Sequence, residues 1–212
     1  MIRFITFEGG DGTGKSTQVK LLERYLTSLG VPCVATREPG GTGLGKLIRQ
    51  ALLEVGEKAV APSTELFLYL ADRAQHIEEV IAPALEQGKI VLCDRHTDST
   101  LAYQGYGRGI DLRLLRRLNE MIDRGIKPDL TFLLDCPVAT GLLRTARRRS
   151  QESFSAEDRF EREKIEFHER VRRGFLEMAR AEPERFYVIC ASRSVEAISE
   201  EIKKVVAQKL AA

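Results

Sequence analysis

The sequence has no tryptophan, three histidines, four cysteines and one asparagine. His76, His96 and His168 form no metal-ligand pattern, so each is expected to be structural or solvated. Cys33, Cys93, Cys136 and Cys190 lack the paired spacing of a zinc site or a redox dithiol. Each sits in or at the end of an apolar β-like run, which predicts buried free thiols. Asn119 is followed by Glu120, so the Asn-Lys-x-Asp element of guanine-reading switches is missing. The apolar stretches are too short for a membrane span, and the amino-terminal one is wrongly flanked for a signal peptide. A cytoplasmic protein without a membrane partner is expected. A net charge of +2 is far from the basic excess of a duplex-binding module. Any basic surface must be local, and no nucleic-acid partner is expected.

What is present is an ordinary globular composition: 212 residues, 43% hydrophobic and 30% charged, with no signature of disorder. One domain is expected, since a chain of this length buries about 70% of its unfolded surface.

The most informative stretch runs from Glu8 to Thr17, EGGDGTGKST, between the apolar run Ile2 to Phe7 and the periodic run Gln18 to Leu29. It reads as strand, glycine loop, helix. Gly9, four intervening residues, Gly14, Lys15 and Ser16 have the spacing of a phosphate-cradling loop. The glycines let successive backbone N–H groups face one anion, Lys15 adds a point charge and the helix adds the positive end of its dipole. Such a loop holds a nucleoside triphosphate.

Along the chain, strands are expected at 31–35, 89–93, 129–135 and 185–190, with helices at 46–55, 62–87, 112–124, 138–149, 160–180 and 195–210. Pro83 should kink the second of these helices. Between helices four and five lies a polar stretch, RRRSQESFSAEDR, without apolar period. Five short strands alternating with helices call for a parallel sheet with helices on both faces. Ligands of such sheets sit beyond the strands' carboxyl ends, where Asp11, Arg37, Asp94, Arg95 and Asp135 fall.

Asp94 and Arg95 at one strand mouth suit two anionic tasks, positioning a hydrated Mg²⁺ and forking onto a phosphate. They could equally be a cap and a surface arginine in an exposed pair. Arg144, Arg147 and Arg148 share one helical face, which is either solvated or the charged face of a lid over a moving phosphoryl group; Arg149 extends it. Tyr69 and Arg73 also share a face, as a packed aromatic with a surface arginine or as part of a site.

Taken together, EGGDGTGKSTQ, REPGGT, LADRAQH, DRHTDSTLAYQG and a lid ending in DRFE resemble the bacterial thymidylate kinases over nearly the whole chain. The resemblance implies a P-loop NTPase fold of the nucleoside-monophosphate-kinase kind, a lid at about 144–160, a homodimer, and transfer of the γ-phosphoryl of ATP to dTMP with Mg²⁺. It implies that Gly9, Gly10, Asp11, Gly12, Thr13, Gly14, Lys15, Ser16 and Thr17 hold ATP, with Ser16 and Asp94 toward the metal. Asp11 would lie near the sugar 3′-hydroxyl, and Arg37 and Arg95 would secure the acceptor phosphate. Tyr69 would stack on thymine and Arg73 bond its carbonyl. Ser99, Thr100 and Gln104 would line the base pocket, and Tyr103 would crowd a ribose 2′-hydroxyl. Members of this family carry the catalytic arginine either in the phosphate loop or in the lid. Here the loop position is Gly12, which resembles the lid-arginine type and points to Arg148, with Arg144 and Arg147 as alternates. The rival readings are a kinase for another monophosphate, a nucleotide switch, and a nucleic-acid-dependent ATPase.

Overall fold

The computed structural model describes residues 2–53, 60–151, 159–160 and 163–211, the side chains of Arg149, Gln151 and Ala211 excepted. The end of the helix expected over 46–55, most of the polar stretch and half of DRFE therefore lie outside the described residues.

Five parallel strands form one sheet: β1 (Phe4–Glu8), β2 (Cys33–Arg37), β3 (Ile90–Asp94), β4 (Leu130–Asp135) and β5 (Phe186–Cys190), in the order β2-β3-β1-β4-β5. The first strand is central and buried on both faces, as the middle of a doubly covered sheet must be. Its alternate side chains go opposite ways. Ile5 and Phe7 join Leu22, Leu26 and Phe132 beneath α1 (Lys15–Ser28) and α9 (Val195–Ala211). Phe4 enters the other layer with Ile77, Ile81 and Val91, and Thr6 bonds Thr131 side chain to side chain at 2.8 Å.

That second layer holds α2 (Gly43–Leu53), α3 (Pro62–His76), α4 (Ala82–Glu86), α5 (Thr97–Thr100), α6 (Leu112–Asp123), α7 (Val138–Gln151) and α8 (Ile165–Ala181). Around Tyr103, Phe167 and Phe175 it builds an aromatic core against Leu133 and Phe186.

The distortion expected at Pro83 arises one turn earlier, as a π-helix over Ile77–Ile81 between α3 and α4. Proline has no N–H to bond residue 79, and the ladder shifts so that Ala82 N–H reaches Ile77 C=O. A second π-helix, Leu101–Gly107, extends α5 and turns Tyr103 and Gln104 inward. The helix expected from Phe160 starts instead at Ile165, leaving Phe160 in a turn.

The buried-thiol expectation holds for Cys93 and Cys136, but Cys33 is half-buried and Cys190 exposed. Cys190 lies on the edge strand β5, whose outer residues no helix fully covers. Among the described residues no helix is long and apolar enough to cross a membrane.

Candidate active site

The carboxyl ends of β1 and β3 are flush, with Phe7 paired to Asp94, so the loops leaving them share one cleft. In the first loop, α1 begins at Lys15 behind Gly14 at φ +96°, with no side-chain cap and no acid in its first turn. Its leading N–H groups are left for an anion. Gly12 sits at φ +71°, and an added Cβ would lie 2.1 Å from Gly141 O on α7. Loop and helix touch backbone to backbone there, so no side chain, arginine included, fits at residue 12 in this packing.

Lys15 is buried and donates to Gly9 O at 3.0 Å and Gly10 O at 2.6 Å. Burial, then the nearby Arg95 charge, push its ammonium down to about 8. The Ser16 hydroxyl donates to the Asp94 carboxylate. These groups line an open cleft of about 1300 Å³ with Thr17, Arg37 and Arg148. Arg148 of α7 thus shares the cleft with the loop. Arg144 instead donates to Ala191 O at 2.8 Å, and Arg147 is exposed without lining the cleft.

Next to the cleft is a more enclosed cavity of about 530 Å³. Tyr69, Arg73, Arg95, Ser99, Thr100, Tyr103 and Gln104 all line it, with Asp11 and Arg95 bordering both spaces, whereas Arg37 lines the cleft and not the cavity. Arg95 is held at φ +71°, a backbone conformation that is uncommon for a non-glycine residue and that clusters at functional sites. Its guanidinium donates to Asp11 at 2.7 Å, to Tyr103 Oη at 3.0 Å and to Gly9 O at 2.9 Å. Burial alone would raise the Asp11 carboxyl, but Arg95, then Lys15, hold it below its ordinary value. Asp94 and Arg95 are therefore no exposed pair: one meets Ser16, the other Asp11.

Arg73 corrects another open alternative, since it is only 1% exposed and cannot be a surface arginine. Its Nε donates to Glu38 at 2.8 Å, Nη1 to Asn119 at 2.9 Å and Nη2 to Thr100 Oγ1 at 2.9 Å. Glu38 also meets His76 Nδ1 at 2.9 Å. Burial would raise Glu38, yet the Arg73 guanidinium against it holds it well below the usual carboxylate range. Burial pushes His96 down to about 3, so its imidazole is neutral. All three histidines are buried, which decides for the structural option over the solvated one.

Glu38, Asn119, Arg49 and Phe160 border or brace the cavity without having been singled out from sequence. The only available signal was the rarity of asparagine. Asp135, suspected from its place at a strand end, lines neither space and forms a two-point pair with Arg172 at 2.7 and 2.9 Å.

The family model described as thymidylate kinase matches residues 7–202. A thymidylate kinase of Geobacter sulfurreducens is 53% identical over 207 residues, covering 98% of this chain and 97% of its own. One of Desulfovibrio desulfuricans is 56% identical, covering 91% of this chain and 89% of its own. The crystal structure of thymidylate kinase from Ehrlichia chaffeensis superposes with a TM-score of 0.77 at 38% identity, over 96% of this chain and 97% of that one. With a glycine loop and an uncapped helix terminus opening on one cleft, a second cavity beside it walled by arginines and aromatics, and matches of this extent, the chain belongs to the thymidylate kinase family.

Proposed function

We propose that this enzyme transfers the γ-phosphoryl group of ATP to dTMP, giving dTDP for dTTP synthesis. The observation that carries the reading is the junction of the two spaces at Asp11 and Arg95: a triphosphate on the loop and a monophosphate in the cavity would meet there end to end. The acceptor phosphate is already an anionic nucleophile, so the reaction needs alignment and charge neutralisation more than a general base.

On this reading the amides of residues 9–17 and the Lys15 ammonium hold the ATP phosphates. Arg95 and the exposed Arg37 take the acceptor phosphate, Asp11 faces the sugar and Tyr69 the base. Arg148 supplies positive charge to the moving group. Ser16 and Asp94 fit Mg²⁺: they are two hard oxygen groups in contact at the cleft, and this ion is usually held by one or two protein oxygens, phosphates and water. Bound there, Mg²⁺ supplies further neutralisation of phosphate charge.

The whole chain would be one P-loop kinase domain with a lid at about 144–160, working in the cytoplasm. A homodimer is supported by the exposed Leu47, Phe67 and Met121, which stand on α2, α3 and α6, the first and last of which pack on α3.

The test is an assay of purified protein with ATP and dTMP, dUMP, UMP, CMP or AMP. dTDP formation fastest of all is expected. Faster turnover of another monophosphate, or ATP hydrolysis stimulated by nucleic acid rather than by dTMP, would sink the reading.

A further inference from the structure

Glu65 of α3 has no exposed surface, yet four donors converge on it. Oε1 accepts from Gln104 Nε2 at 2.8 Å and Arg108 Nε at 3.2 Å. Oε2 accepts from Arg108 Nη2 at 3.0 Å and Arg159 Nη2 at 2.7 Å. Every partner of these two oxygens donates to them, and the Gln104 atom facing Glu65 is the amide nitrogen. Gln104 is 1% exposed and lines the neighbouring cavity. The lobe left for the neighbouring cavity is its carbonyl oxygen. Arg73, which lines the same cavity and is held by three hydrogen bonds, can only donate.

We propose that Glu65 is a positioning residue for base selectivity. By fixing the Gln104 amide with its nitrogen inward, it makes the cavity present one acceptor beside one donor. A thymine or uracil edge offers the complementary N3–H and O4. A cytosine edge offers a lone pair at N3 and an N4 amino group, so both contacts become repulsive or unpaired. This inference rests on the dTMP reading above and goes beyond it, because Glu65 acts through Gln104.

Glu65→Gln tests it, since an amide at 65 can donate and no longer dictates which way Gln104 turns. The expected result is a KM for dTMP raised about 10-fold with kcat within about 3-fold, and the preference for dTMP over dCMP reduced about 10-fold, in line with what a lost polar match does to selectivity. The KM for ATP should not move. Gln104→Leu should lose the same selectivity, and adding Glu65→Gln to it should cost no further selectivity. Unchanged dTMP/dCMP preference in Glu65→Gln, or full additivity in the double variant, overturns the inference. So does a parallel fall in kcat and ATP affinity, which would mark a general structural defect. Should Glu65→Gln not fold, Glu65→Asp, which keeps the charge but draws it back from Gln104, is read by the same criteria. If the unaltered protein makes dTDP while these variants keep their selectivity, only this inference fails. If it makes none, the function reading itself fails.

Discussion

The two halves of the site are built from different materials. The side that the proposed reading gives to ATP is an open cleft of about 1300 Å³ whose specific donors are backbone N–H groups, a helix terminus and Lys15. The proposed acceptor side is a cavity of about 530 Å³ braced by buried side chains bonded around Arg73, which donates to Glu38, Asn119 and Thr100. Main-chain amides recognise any polyphosphate. Buried, mutually saturated side chains punish a wrong partner, because a group that loses its bond there also loses water. On the proposed reading the enzyme is general where it holds a common donor and restrictive where it chooses an acceptor.

Substitutions can separate the halves. The largest effect is expected from Lys15→Met, which removes the point charge from the donor loop. kcat should fall about 10³-fold while circular dichroism shows the fold intact, a loss of the size seen when one transition-state donor is deleted. Arg95→Ala should lower kcat/KM for dTMP about 10²- to 10³-fold, with ATP affinity measured by titration held within about threefold. If ATP affinity fell as steeply, the two halves would not be separable. Arg148→Ala should cost about 10²-fold in kcat and Arg144→Ala under about 10-fold, because Arg144 is engaged with Ala191 O. Equal losses in the two variants would dissolve the assignment of the lid arginine.

The same contrast explains what the sequence could convey. A phosphate loop is local: Gly9 to Ser16 lie within eight residues, and their spacing alone carries the geometry. The sheet was also legible, because apolar runs bounded by glycines report strands whatever their neighbours are. The acceptor wall is not local. Glu38, Arg73 and Asn119 come from β2's outgoing loop, α3 and α6, and no periodicity relates them. The cavity-lining residues named in advance came from likeness to a family, whereas the braces behind them, Glu38, Glu65 and Asn119, did not. Edge position was hidden too: β5 reads like any apolar strand, so Cys190 was expected to be buried, and only strand order reveals that its side is uncovered. Gly12 illustrates the reverse case, a residue visible in the motif whose reason, the approach of Gly141, lies far along the chain.

The smallest effect in rate, and the sharpest in pH, concerns the seam between the halves. Glu8 ends β1, is wholly buried, and accepts from His96 N–H at 2.7 Å while sharing a 2.6 Å bond with Ser99 Oγ. Burial, and then the neighbouring Asp98, push its carboxyl up to about 8 from an ordinary 4.5. The folded protein therefore keeps a proton that the unfolded chain releases. The stability this contributes is complete below about pH 4.5 and drains away as pH climbs toward 8, a change of a few kcal/mol for a shift of this direction and scale. Glu8→Gln retains a carbonyl for His96 N–H and has nothing to titrate. Urea unfolding at pH 5.5 and pH 8 should show the unaltered protein losing more stability between the two than the variant does. Parallel slopes would mean that Glu8 is ionised when folded. The loop carrying Arg95 would then be fastened by charge, with Arg95 itself answering to Glu8 as well as to Asp11, and the separation of donor and acceptor halves would be less complete than their construction suggests.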